Sequence, residues 1–191
     1  MGLDMYLERC NRKAWDYRNI DVEEVRESKP QLYEELKPYI HQRGGEYYHW
    51  ESIFAKVGYW RKANAIHKWF VDNVQDGEDD CDCYEVSRDQ LEELLDICKT
   101  IKDKTIMDDG LVKNGEVWAN GMWCPRYEEG QTIVNPEIAE RLLPTQGGFF
   151  FGSTEYDQWY MADIENTIEI LTNALKTTDF DTHMIVYMSS W

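Results

Sequence analysis

Residues 147–175 read GGFFFGSTEYDQWYMADIENTIEILTNAL. Three consecutive phenylalanines, Phe149–Phe151, predict a short buried strand, and Gly152 with Ser153 predicts the turn that ends it. Thr154 and Asp157 then stand at capping-box spacing, and Tyr160, Ile164, Ile168, Leu171 and Leu175 recur on one face of a helix. A strand that runs through a glycine turn into a long amphipathic helix is the unit of a sheet covered by helices.

Other segments extend that reading. GLDMYLER (2–9) alternates, with Leu3, Met5 and Leu7 on one side and Asp4, Tyr6 and Glu8 on the other, and predicts a half-buried strand. HMIVYMSS (183–190) is strand-like, so strands near both ends of the sequence are plausible sheet neighbours. Ser87 to Gln90 forms a capping box, followed by a helix whose stripe is Leu91, Leu94, Leu95, Cys98 and Ile101. The stretch from Glu51 to about Val74 also reads as helical, with Tyr59, Ala63, Ile66, Phe70 and Val74 on its core face. Asn135 as cap and Pro136 at the first turn predict one more short helix. Residues 11–46 predict an ordered excursion with one or two short helices, broken by Pro30 and Pro38. Residues 102–147 read as irregular, with a short strand or hairpin at NGEVWANG. The expectation is a single α+β domain over residues 1–191: a small antiparallel or mixed sheet packed by about three longer helices.

Composition limits the function. The chain is 42% apolar and 14% aromatic over 191 residues, which suits a packed core and not disorder. Its formal charge of −17 opposes direct binding to nucleic acid or to an anionic membrane surface. A small anionic ligand can still be held where a few basic groups converge, and the acids themselves can meet a basic protein partner in the manner of a DNA mimic. Five cysteines, no basic and apolar leader at MGLDMYLERC and no long apolar run predict a cytoplasmic protein with no membrane partner. Tyr6 breaks the N-myristoylation pattern. A symmetric homodimer is the default oligomer.

Candidate site residues fall in two blocks. In YWRKANAIHKWF (59–70), Trp60, Asn64 and His67 share one flank of the expected helix, an aromatic wall beside hydrogen-bonding groups. The plainer reading is a semi-buried histidine satisfied by a carboxylate or the backbone. Arg61 and Lys62 are either solvated or reach the phosphate or carboxylate of a ligand. In FFFGSTEYD (149–157), free N–H groups at a helix start, with Ser153, Thr154 and Tyr156, either cap the helix or form an anion nest. The P-loop lysine and the GxSxG elbow are both absent. Asp76, Glu78, Asp79, Asp80 and Asp82 could offer oxygen ligands to Ca²⁺ or Mg²⁺, but their spacing is not that of an EF-hand. Cys81 and Cys83 lack the second ligand pair of a zinc site. No metal, cofactor or catalytic residue is assigned. His67 beside Asp4, Glu51, Glu155 or Asp157 would be the acid–base candidates were there turnover.

The blocks MGLDMYL (1–7), YWRKANAIHKWFV (59–71) and FFFGSTEYDQWY (149–160) together resemble a family of small proteins of bacteriophages and bacterial prophages. The resemblance carries over no catalytic residues. It implies an accessory or host-interaction role, of which countering host defence is one, by trapping a nucleotide signal or by binding a host protein. Three expectations result. The first is non-enzymatic binding of a small, planar, anionic ligand such as a nucleotide or nucleotide-derived signal, by Trp60, Arg61, Asn64, His67, Ser153, Thr154 and Tyr156 across one cleft. The second is an acidic module that binds a basic host protein. The third is a hydrolase or transferase acting on a small phosphorylated substrate.

Overall fold

The computed structural model describes residues 2–44, 47, 49–148 and 151–191. In chain order the elements are β1 (Asp4–Asn11), α1 (Val22–Ser28), α2 (Pro30–Leu36), β2 (His41–Gly44), β3 (His49–Ser52), β4 (Phe54–Arg61), α3 (Asn64–Asn73) and β5 (Tyr84–Val86). There follow α4 (Arg88–Lys104), β6 (Met107–Ala119), β7 (Met122–Ile133), α5 (Glu137–Leu142), α6 (Gln158–Thr177) and β8 (His183–Ser190). Single 3-10 segments at Arg12–Tyr17 and Lys37–Tyr39 complete the excursion after β1. The fold is α+β. No helix among the described residues is long and apolar enough to cross a membrane.

The main sheet has the order β4-β1-β8-β5, and every neighbouring pair is antiparallel. β1 and β8 lie at its centre, paired from Asp4 with Ser190 to Asn11 with His183. Both faces of the sheet are covered. Leu3, Met5, Leu7, Trp60, Ile185 and Tyr187 point to one side, where α3, α4 and α6 supply Phe70, Leu94, Ile101, Ile164 and Leu171 to the larger core. Cys10, Met184 and Val186 point to the other, where Ala14, Val22, Leu36 and Ile53 build a smaller one. Glu8 shares that second face, 4% exposed, and is neutralised by Arg43 of β2. Burial pushes the Cys10 thiol up to about 11 and the Cys83 thiol to about 12. Both therefore stay protonated and unreactive.

The expected alternation of β1, the pairing of the two terminal strands and the capping box of α4 are all present. Ser87 Oγ accepts from the Gln90 N–H at 3.2 Å, Gln90 Oε1 accepts from the Ser87 N–H at 2.9 Å, and all five residues of the apolar stripe are buried. The expected helix from Glu51 to Val74 is instead β3, β4 and α3. β4 turns sharply into α3 at Lys62, which sits at φ 61°. Trp60 on the strand and Ile66 and Phe70 on the helix pack into one core, which mimics a single helical stripe. Tyr59 faces the other side of the sheet, tilted 5.4 Å from Tyr6, with its hydroxyl donating to Asp4.

Residues 102–147 are not irregular either. β6 and β7 form a long antiparallel hairpin, and its turn, Asn120-Gly121, has φ of 53° and 80°. Positive φ at both positions is what a two-residue type I′ turn requires. Asn135 does not cap α5. Its side chain bridges the Ile106 N–H and the Lys104 carbonyl, tying the end of α4 to the hairpin. Asp157 is the cap of α6, accepting from the N–H groups of Trp159 and Tyr160. Of the expected phenylalanine strand, Phe149 and Phe150 lie outside the described residues, and Phe151 is buried in a bend.

α6 crosses β4 at closest approach over Gly58. A Cβ there would stand 2.3 Å from Ile170 Cγ2. Gly58→Ala is expected to destabilise the fold by about 1–3 kcal/mol through overpacking. Ile170→Ala in the same chain should recover part of that loss. A double-mutant cycle of urea-unfolding midpoints checks the coupling.

Candidate functional site

The β4–α3 turn, the segment before α6 and the first turns of α6 enclose a cleft of about 710 Å³, with β6 as the facing wall. Arg61, Lys62 and Asn64 come from the turn, and Gly152, Ser153 and Glu155 from the segment before α6. Asp157, Trp159 and Asp163 come from the start of α6, and Lys113 and Glu116 from β6. The two sequence blocks therefore do share a hollow, though only part of each block faces it.

Asn64 explains why they meet. It is 4% exposed. Its amide donates to the carbonyls of Phe151 (3.0 Å) and Ser153 (2.7 Å), and its oxygen accepts from the Gln146 N–H at 2.9 Å. One side chain at the start of α3 thus ties down the backbone of Gln146, Phe151 and Ser153. With both amide hydrogens committed, it is a positioning residue and not a ligand contact. Gly152 completes the seam. At φ 90° it brings its Cα against Lys62, and a Cβ would stand 3.1 Å from Lys62 Cβ and 3.2 Å from its carbonyl oxygen. Lys62 itself is left-handed, a strained conformation for a residue with a Cβ, and it lies at the lip of the cleft.

Trp60 and His67 lie elsewhere. Trp60 belongs to β4, 1% exposed, and its indole N–H donates to Thr167 Oγ1 at 2.8 Å. His67 is fully buried. Its Nε2 is 3.0 Å from the Asp79 carboxylate and its Nδ1 2.8 Å from the Tyr187 hydroxyl. A carboxylate can only accept, so Nε2 donates to Asp79, while Nδ1 and the Tyr187 hydroxyl share the second hydrogen bond. Asp79 also accepts from the Trp191 indole at 3.1 Å. The network pins the acidic loop and the last residue onto the core. The expected Trp–Asn–His strip on one helix therefore does not exist, and neither aromatic ring reaches the cleft.

The anion nest is also absent. The Asp157 carboxylate already occupies the N-terminus of α6, and Ser153 Oγ takes the Glu155 N–H. Thr154 is exposed and contributes its carbonyl to Thr145. Tyr156 stacks edge-on against Tyr160 and lines a smaller neighbouring hollow of about 280 Å³. The acidic loop holds no metal-like cluster: among the described residues no group of three or more His, Cys, Asp or Glu side chains is arranged to take an ion.

Sequence reasoning missed Trp159, Lys113, Glu116 and Asp163 in the other half of the cleft, and named Asp157 there only as a cap or an acid–base candidate. Trp159, half exposed, offers a ring surface. Lys113 and Glu116 pair at 2.8 Å across a bulge in β6. Asp157 is 2% exposed, and its Oδ2 has no hydrogen-bond partner among the described residues. Burial raises its carboxyl, against its two backbone hydrogen bonds. Half-buried Asp163 is pushed up to about 7, by burial first and by the Asp157 charge second. The sequence hint was slight: an acid directly before the core residue Ile164.

No protein-family model, curated protein or solved structure matches the chain.

Two measurements check this geometry. His67→Ala is expected to cost about 3 kcal/mol in urea unfolding, because it opens a cavity and strands Asp79 and Tyr187. For Asp163, the folded carboxyl titrates at about 7, far above its ordinary value of 3.8. The proton it retains stabilises the fold fully below the ordinary value, and that stabilisation is lost as pH rises through the folded value. Asp163→Asn should therefore raise the melting temperature at about pH 8 and leave it unchanged at about pH 3.

Proposed function

We propose that the protein binds a small anionic ligand carrying a planar ring, of the nucleotide class, in the cleft between the β4–α3 turn and α6. One observation carries the reading. In a chain of charge −17, Arg61 and Lys62 stand side by side on the cleft wall, and neither forms an ion pair among the described residues. Basic side chains in so acidic a protein would ordinarily find carboxylates; a pair left open in a hollow suits an anion. Trp159 supports the rest by offering a face on which a ring can stack. The volume of about 710 Å³ falls within the range of small-molecule sites.

The reading needs no turnover. In the phage setting that the three sequence blocks imply, a protein that retains a nucleotide-derived signal would serve as an accessory or anti-defence factor. A second reading, an acidic surface for a basic host protein, draws on the tract from Asp76 to Asp96. There ten acids accompany one Arg88, and nine of the ten are exposed. Such an interface should weaken steeply with salt.

Isothermal titration calorimetry with nucleoside monophosphates and with pyrophosphate tests the first reading. Wild-type protein should bind, and Arg61→Gln with Lys62→Gln should lower the affinity at least about tenfold with the melting temperature kept. Absence of binding by every nucleotide would sink the proposal.

A further inference from the structure

The α6 wall of the cleft has a chemistry opposite to that of the β4–α3 turn. Asp157, Asp163 and Glu155 line it, and ionised carboxylates only accept hydrogen bonds. A phosphate cannot settle there. A ligand that fills the whole cleft must bring an anion to Arg61 and Lys62 and N–H donors to α6. Two details show that donors are wanted. Asp157, which lines both this cleft and the neighbouring hollow, has its Oδ2 buried without a partner among the described residues, although buried polar atoms are normally paired. The Asp163 carboxylate accepts no hydrogen bond among the described residues, while its neighbour on the chain, Ile164, is sealed in the core and fixes its position. Trp159, between the two acids in sequence, supplies the stacking face.

We propose that Asp163, backed by Asp157, reads the edge of the bound ring, so that the ligand is a guanine-type nucleotide with its phosphate on Arg61 and Lys62. This rests on the nucleotide reading above. Guanine carries an imino N–H beside an amino group on one edge, and the two donors fit the two oxygens of one carboxylate, as the arginine fork does. Adenine presents an amino group beside a bare ring nitrogen, whose lone pair faces a carboxylate oxygen unfavourably. The upward shift of Asp163 agrees with a carboxylate that lacks donors until a ligand supplies them. Other charged groups facing the cleft are Arg61, Lys62, Lys113, Glu116, Glu155 and Asp157.

Calorimetric titration of GMP and AMP at about pH 8, where Asp163 is ionised, tests the assignment. GMP should bind about tenfold to a hundredfold more tightly than AMP. Asp163→Asn should abolish that preference by lowering GMP affinity to that of AMP or below, with the fold retained. Asp163→Ser, which removes the amide as a substitute partner, should do the same. Equal binding of GMP and AMP overturns the guanine assignment and leaves the nucleotide site standing. A parallel loss of both nucleotides in the Asp163 variants also overturns it, since the residue would then serve the site as a whole. If neither nucleotide nor pyrophosphate binds, both proposals fall together.

Discussion

A strand covered on both faces has to bury apolar groups on each side and satisfy every polar side chain it carries. At its centre, from Met184 to Tyr187, β8 meets that demand, and the rest of the fold is arranged around it. Ile185 and Tyr187 enter the larger core, while Met184 and Val186 enter the smaller one. Tyr187 stacks on Phe70 with ring centroids 3.9 Å apart, and its hydroxyl meets the buried His67. The imidazole hands the polar chain on to Asp79 at the surface. One buried tyrosine thus requires α3 at a fixed height over the sheet. It also requires a carboxylate from a loop that would otherwise be repelled by its own charge.

Once α3 is fixed, the cleft follows. The turn that joins β4 to α3 holds Lys62 at φ 61°, and Gly152 fits against it because it lacks a Cβ. Asn64, in the first turn of the same helix, holds Gln146, Phe151 and Ser153 by three hydrogen bonds. The result is a hollow with cations on one wall and carboxylates on the other. In water such groups would pair. Here none of Arg61, Lys62, Asp157 and Asp163 forms an ion pair among the described residues, although all four line the hollow.

Local signals in the sequence were sound where one rule governed a segment. The period-two pattern of Leu3, Met5 and Leu7 and the Ser87–Gln90 box each depend on a few neighbouring residues, and both survive in the structure. The reading failed where two elements served one core. Trp60, Ile66 and Phe70 have helical spacing by coincidence, since a strand and a helix bury them from different directions. Only the tip of the hairpin, at NGEVWANG, was legible; its length was hidden because both its faces are largely exposed, so β6 and β7 show little alternation. For the site, Arg61, Asn64 and Ser153 were placed together as expected, although Asn64 acts through the backbone. His67 was drawn toward function by its chemistry and belongs to the core by its contacts. Asp163 and Lys113 were invisible because neither takes its role from its neighbours in sequence.

The cleft has one wall unlike the others. Lys113 and Glu116 come from a ribbon of two strands that pair with each other and are joined to the body near their base, by the Thr132–Asp157 bridge and the Ile133 N–H to Tyr156 carbonyl bond. Its far end carries Trp118 and Trp123, edge to face at 5.4 Å and open to solvent. Such a ribbon is a cantilever: a small rotation at the root becomes a larger sweep at the tip, and a load on the tip returns as torque at the root. The wall that Lys113 and Glu116 lend the hollow is therefore set by the pairing of the two strands and by the contacts at their root, far from the indole pair.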